Sequence, residues 1–209
     1  MGGVVFVEGL IGAGKSTLTA KIASALGLRP VYEPVDDNPF LERSYRDPRR
    51  WVFPMQVFLL NRRWAMHRLA AAEAAVGRGA VVDRGLPGDR VFMAMHVEEG
   101  NVDGDMWRTY CELYEQMVLG LPTPSLLLYL DVDPQTAHAR MVKRGRGAES
   151  GVSLRYLVQL HGQYRRMLED VDSGRHPWSR GMAVHRLPWP ENADTDAAVS
   201  LVARCLEAK

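Results

Sequence analysis

The chain of 209 residues is long enough for one substantial hydrophobic core and falls in the size range of single α/β domains, so one domain over 1–209 is expected. With 46% hydrophobic and 24% charged residues it does not read as disordered, fibrous or membrane-spanning, and a formal net charge of +1 offers no field to recruit nucleic acid or an anionic membrane. Cys111 and Cys205 form neither a disulfide framework nor a zinc pattern, and the first residues lack a basic, apolar leader, which together point to the cytoplasm.

In chain order, the apolar run 4–8 predicts a strand that breaks into Gly9, Gly12, Ala13, Gly14, Lys15, Ser16 and Thr17. Gly9, Gly14, Lys15 and Ser16 satisfy G-x-x-x-x-G-K-[ST], and Gly12 adds a further glycine inside the loop. The helix predicted at 15–26, with Leu18, Ile22 and Leu26 on one stripe, completes a strand-loop-helix setting in which backbone N–H groups and a helix N-terminus converge on an anion. Glycines let the backbone wrap the phosphates, Lys15 reaches the β- and γ-phosphates, and the Ser16 hydroxyl ligates Mg²⁺. ATP or another nucleoside triphosphate, with Mg²⁺, is therefore the expected ligand. The loop alone does not choose between a kinase, a switch and a motor.

A second strand at 30–33 ends in Glu33, which would stand near the loop either as a base for a hydroxyl proton or as an ordinary strand-end carboxylate. A long helix follows at 51–75, whose Trp51, Phe53, Phe58 and Trp64 are expected in the core. The strand 80–83 then brings Asp83 and Arg84 to the same sheet edge, one suited to Mg²⁺ and the other to phosphoryl charge or to orienting Glu33. Further helices are predicted at 106–119, 134–144, 154–171 and 195–206, and strands at 125–132 and 182–187. Asp133 reads as the cap of the helix that Pro134 opens, ahead of any metal role for it or Asp131. Arg140, Lys143, Arg144 and Arg146 lie just before or within the Gly-rich stretch 143–151 and read as a lid over phosphates, spanning about 140–152, or as a solvated helix end. The six histidines show no metal spacing. Apolar strands alternating with helices predict a three-layer α/β fold with a five-stranded, mostly parallel sheet.

The stretches "GLIGAGKST", "EPVDDNPFLERSYRDPRRWVFPMQVFLLNRR", "VVDRGLPGDRVFMA", "LLLYLDV" and "RMVKRGRGAES" together resemble the deoxynucleoside kinase family over roughly 4–165. The resemblance implies a P-loop kinase fold with an Arg-rich lid and transfer of the ATP γ-phosphate to a nucleoside 5′-hydroxyl. By position it makes Glu33 the base and Arg84 its steadying arginine. It puts Asp83 near Mg²⁺, Arg140, Arg144 and Arg146 on the lid, and Tyr45 and Glu149 at the sugar 3′-hydroxyl. Gln56, Arg63 and Asp89 fall at the base edge, and Met55 and Met93 at the pocket wall. Gln56 offers both a donor and an acceptor, Asp89 accepts from an exocyclic amine, and Arg63 can hold Asp89 charged. That set looks suited to deoxyadenosine, deoxycytidine or deoxyguanosine rather than thymidine, with a lean to deoxyadenosine. The family also implies a homodimer.

Gly85, the "LPG" at 86–88, and the two methionines depart from the family's usual residues. Two rival readings stand beside this one. A nucleoside monophosphate kinase would need a basic pocket for its acceptor, against which Glu33 argues. A P-loop switch would leave Gln56, Arg63, Asp89 and Glu149 without a task.

Overall fold

The computed structural model describes residues 2–33, 38–146, 149, 151–176, 178 and 181–208. Five parallel strands form one sheet in the order β2-β3-β1-β4-β5: β1 (Val4–Gly9), β2 (Arg29–Val31), β3 (Ala80–Asp83), β4 (Leu126–Asp131) and β5 (Ala183–Pro188). β1 lies in the middle, with Val4 to Val7 registered against Ala80 to Asp83 on one side and Val5 to Gly9 against Leu126 to Leu130 on the other. All six of its residues are buried, as expected for a strand covered on both faces.

The side chains of β1 alternate between the two faces. Val5 and Val7 join the main core, with α1 (Lys15–Leu26) and α8 (Thr195–Glu207) on that side. Phe6 and Glu8 point the other way, where Phe6 meets His67 of α3 (Pro48–Ala75) edge-on at 5.1 Å and Glu8 meets Tyr164 of α7 (Leu154–Asp172). The short α2 (Leu41–Arg46) precedes α3. On the α3 side α4 (Asp89–Glu98) packs against α3 and α7, and α5 (Gly104–Val118) lies against α3 and α4. α6 (Pro134–Arg144) packs on α7. The architecture is the expected three-layer α/β P-loop fold.

Local chemistry sets the element ends. Asp133 caps α6 by accepting from the Gln135 and Thr136 N–H groups at 2.9 and 3.2 Å, the role its place before Pro134 suggested. Gly27 and Gly145 take left-handed conformations that close α1 and α6. Among the described residues no helix is long and apolar enough to cross a membrane.

Three expectations need correction. β2 stops at Val31, so Glu33 lies two residues beyond the strand instead of at its end. α2 and α4 were not anticipated. α4 buries Asp89, Val91, Phe92, Met93, Met95 and His96 around much of its circumference, which erases the one-sided stripe that marks a surface helix. Of the four aromatics on α3, Phe53 and Trp64 pack on the main core, whereas Trp51 and Phe58 gather around Phe40 outside it. The guanidinium groups of Arg43 and Arg50 sit 5.0 and 4.9 Å from the Trp51 ring centroid, so this cluster is held by cation–π contact as well as burial.

Candidate active site

A cavity of about 770 Å³ opens above the carboxyl ends of the central strands, the place where open parallel sheets hold ligands. Its volume lies within the range of cofactor and substrate sites. Of the residues singled out in the sequence, Gly12, Gly14, Lys15, Ser16, Glu33, Tyr45, Met55, Gln56, Arg63, Asp83, Arg84, Arg144, Arg146 and Glu149 line it. Gly9, Ala13, Thr17, Asp89, Met93 and Arg140 do not.

At the phosphate-loop end, Gly12 and Gly14 have φ of +84° and +92°, conformations that favour glycine. A Cβ on Gly12 would lie 2.2 Å from the Ala137 carbonyl oxygen, so this glycine also lets α6 press on the loop. Arg140 of α6 reaches the Ala13 carbonyl at 3.4 Å, which places it behind the loop. The Lys15 ammonium donates to the Leu10 carbonyl at 2.8 Å. Burial, reinforced by Arg84, lowers its pKa to about 7 against the opposing pull of Asp83, Glu33 and Glu8. A bound triphosphate would supply the missing negative charge. The Ser16 hydroxyl donates to Asp83, pairing two hard oxygen donors. That donor set suits Mg²⁺, which takes few protein ligands and shares the rest with phosphates and water.

The centre of the cavity is built on Arg63. Its two terminal nitrogens donate to Glu33 and to Asp89. Burial discourages the Arg63 charge, but the two carboxylates more than offset it. Burial would likewise raise the pKa of Glu33, yet Arg63 and Arg84 outweigh it and hold the Glu33 carboxyl below the usual range. Arg84 Nε donates to Glu33 Oε2 at 3.1 Å. Both guanidinium groups lie over the Phe92 ring, at 5.4 Å for Arg63 and 4.7 Å for Arg84. A carboxylate ionised at neutral pH and fixed by two arginines can accept a proton from a nearby hydroxyl.

Asp89 is fully buried behind Arg63, one oxygen accepting from Arg63 and the other from the Tyr110 hydroxyl. Burial raises its pKa despite those donors. Arg63 thus holds Asp89 as expected, and of the two it is Arg63 that lines the cavity. Met93 packs fully buried in the main core, whereas Met55 lines the cavity and receives the Ser44 hydroxyl at 3.1 Å on its sulfur. Gln56 is 1% exposed, and its Oε1 has no hydrogen-bond partner among the described residues. Such a buried orphan costs roughly 1–3 kcal/mol. A donor on a bound molecule would remove that cost.

On the lid side Arg144 Nη2 donates to both oxygens of Glu149, at 2.5 and 2.6 Å. The predicted phosphate ligand and the predicted sugar ligand therefore engage each other here. Positions 147, 148 and 150 of the expected lid lie outside the described residues. The turn at 85–88 explains its unusual sequence: a Cβ on Gly85 would lie 2.0 Å from Phe6 Cε1, and one on Gly88 would lie 2.5 Å from Glu8 Oε2. Glu8, Tyr110 and Tyr164 belong to this polar cluster and were not anticipated. Only Glu8 left a trace in the sequence, as a charge inside an otherwise apolar strand.

The profile of the deoxynucleoside kinase family matches residues 5–181. A deoxyadenosine kinase of Dictyostelium discoideum is 34% identical over 198 residues, covering 95% of this chain and 77% of that protein. A deoxyadenosine/deoxycytidine kinase of Bacillus subtilis (strain 168) is 36% identical over 173 residues, covering 81% and 78%. A solved structure of deoxyadenosine kinase from M. mycoides, with products dCMP and a flexible dCDP bound, superposes with a TM-score of 0.78 at 27% identity, covering 99% of this chain and 100% of that one.

Proposed function

Since the chain belongs to the deoxynucleoside kinase family, we propose that it transfers the γ-phosphoryl group of ATP to the 5′-hydroxyl of deoxyadenosine, deoxycytidine or deoxyguanosine in preference to thymidine. One observation carries the reading: a single cavity joins the phosphate loop to a carboxylate held by two arginines and to an amide oxygen that has no partner among the described residues.

The chemistry follows from this arrangement. Backbone N–H groups of 12–16 and the Lys15 ammonium bind the donor phosphates. The acceptor lies with its 5′-hydroxyl against Glu33, which takes the proton as the oxygen attacks phosphorus in line. Arg84 holds Glu33 in place and meets charge on the moving phosphoryl group. Mg²⁺, held by Ser16 and Asp83, would supply charge neutralisation at the donor phosphates. Gln56 and the Arg63–Asp89 pair read the base edge, with Met55 as an adaptable wall. Tyr45 and Glu149 serve the sugar, which requires Glu149 to leave Arg144 when substrate arrives and frees Arg144, with Arg146, for the donor. Arg140 supports the loop backbone in this reading. A reducing cytoplasm agrees with the free Cys111 and Cys205, and a homodimer follows from the family resemblance.

Turnover of the four common deoxynucleosides with ATP and Mg²⁺ tests the reading. Deoxyadenosine, deoxycytidine or deoxyguanosine is expected to be phosphorylated at least about tenfold faster than thymidine, because the carboxylate of the Arg63–Asp89 pair offers an acceptor for an exocyclic amine, which thymine lacks. Equal turnover of thymidine would remove the Arg63–Asp89 pair from discrimination between bases. Turnover of none would end the kinase assignment.

A further inference from the structure

Glu8 stands in the middle strand of the sheet, directly before the phosphate loop, and is 0% exposed. A carboxylate there is costly unless its oxygens are bonded, and both are. Oε1 accepts from the Gly85 N–H at 2.9 Å, and Oε2 accepts from the Tyr164 hydroxyl at 2.9 Å. The Tyr164 oxygen in turn accepts from Arg84 Nη1 at 2.6 Å, and Arg84 Nε donates to Glu33 at 3.1 Å. A continuous polar chain thus runs from the core of β1 through α7 to the cavity.

The backbone at this point is unusual. Arg84 has φ of +58°, the only non-glycine residue among those described with a positive φ. Its N–H is fastened to the Val7 carbonyl at 3.0 Å, and the next N–H, that of Gly85, is fastened to Glu8. The absence of a Cβ at Gly85 and Gly88 lets the turn approach Phe6 and the Glu8 carboxylate. A strained conformation persists only where its surroundings over-determine it, and such residues cluster at functional sites.

We propose that Glu8 and Tyr164 are positioning residues for phosphoryl transfer: together they hold Arg84 in its left-handed turn and aim its guanidinium at Glu33. The proposal rests on the assignment of Glu33 and Arg84 to the reacting end of the cavity. Tyr164 contributes through its hydroxyl, while its ring packs against Phe92 at 6.4 Å and Tyr129 at 5.4 Å. Tyr164→Phe therefore removes the link and keeps the packing.

The test compares kcat, KM for ATP and for deoxyadenosine, and the thermal midpoint in Tyr164→Phe and in Glu8→Gln, whose amide nitrogen cannot accept a hydrogen bond. Each is expected to lower kcat about 10- to 100-fold with both KM values little changed, as a misaimed catalytic group does. In an Arg84→Lys background Tyr164→Phe is expected to cause no further loss, because it acts through Arg84. A wild-type kcat in folded Tyr164→Phe and Glu8→Gln, or an equal further loss in the Arg84→Lys background, would overturn the proposal. Glu33→Gln in the same assay separates the two levels: if it is inactive while Tyr164→Phe is unimpaired, only the positioning role fails. A fully active Glu33→Gln would remove the base assignment and this role with it.

Discussion

Glu33→Gln is expected to lower kcat about 10²- to 10⁴-fold while ATP binding, followed by equilibrium titration, stays close to that of the parent protein. The substitution keeps the size of the side chain and the ability of one oxygen to accept from an arginine, but it cannot take a proton. Glu33 is ionised at neutral pH because Arg63 and Arg84 overcome the effect of its burial, so the charge required of a base is already present before substrate arrives. The phosphate loop lies on a separate segment, where Lys15 is anchored to Leu10 and Ser16 to Asp83, and none of these hydrogen bonds involves Glu33. Loss of ATP binding alongside activity would place Glu33 in the donor site instead. Unchanged kcat would show that the hydroxyl proton goes elsewhere.

Arg63→Met should produce the largest loss of stability, about 3–5 kcal/mol by denaturant unfolding. Removing one partner of a buried ion pair strands the other charge, whereas replacing all partners by apolar groups can be neutral. Here the Arg63 side chain is 3% exposed and its loss strands two carboxylates, Asp89 at 0% and Glu33 at 17%. Tyr110 would still donate to Asp89, and Arg84 to Glu33, so partial compensation is built in. Adding Asp89→Asn to Arg63→Met should recover part of the stability, because the amide needs no counter-charge. A change below about 1 kcal/mol for Arg63→Met would mean that the trio is solvated in solution, in conflict with its burial.

The phosphate loop was legible because its signal is local: the spacing of Gly9, Gly14, Lys15 and Ser16 and the apolar run before it. The limits of α1 and α6 were legible for the same reason, since Gly14, Gly27, Asp133 and Gly145 mark them chemically. Glu33, Asp83 and Arg84 could be expected near the loop because they follow predicted strands at their carboxyl ends, and the cavity gathers them even though β2 stops short of Glu33. What the sequence hid is the means of support. Tyr110 and Tyr164 lie on helices α5 and α7 whose patterns read as ordinary amphipathic packing, and the Glu8–Tyr164 bond spans 156 positions. The depth of Asp89 was hidden too, because spacing on a helix does not tell which of the two bonded partners, Arg63 or Asp89, lines a cavity. Met93 shows the same limit: family position put it at a wall, and packing puts it in the core.

In the proposed reaction the γ-phosphate passes from ATP to a nucleoside hydroxyl beside Glu33. Incubation of the protein with γ-labelled ATP, Mg²⁺ and deoxyadenosine, followed by separation of the products, tests it most directly. The label is expected in deoxyadenosine 5′-monophosphate. Label released only as inorganic phosphate, or transferred only when a nucleoside monophosphate is supplied, would contradict this reaction and favour a nucleotide switch or a monophosphate kinase respectively.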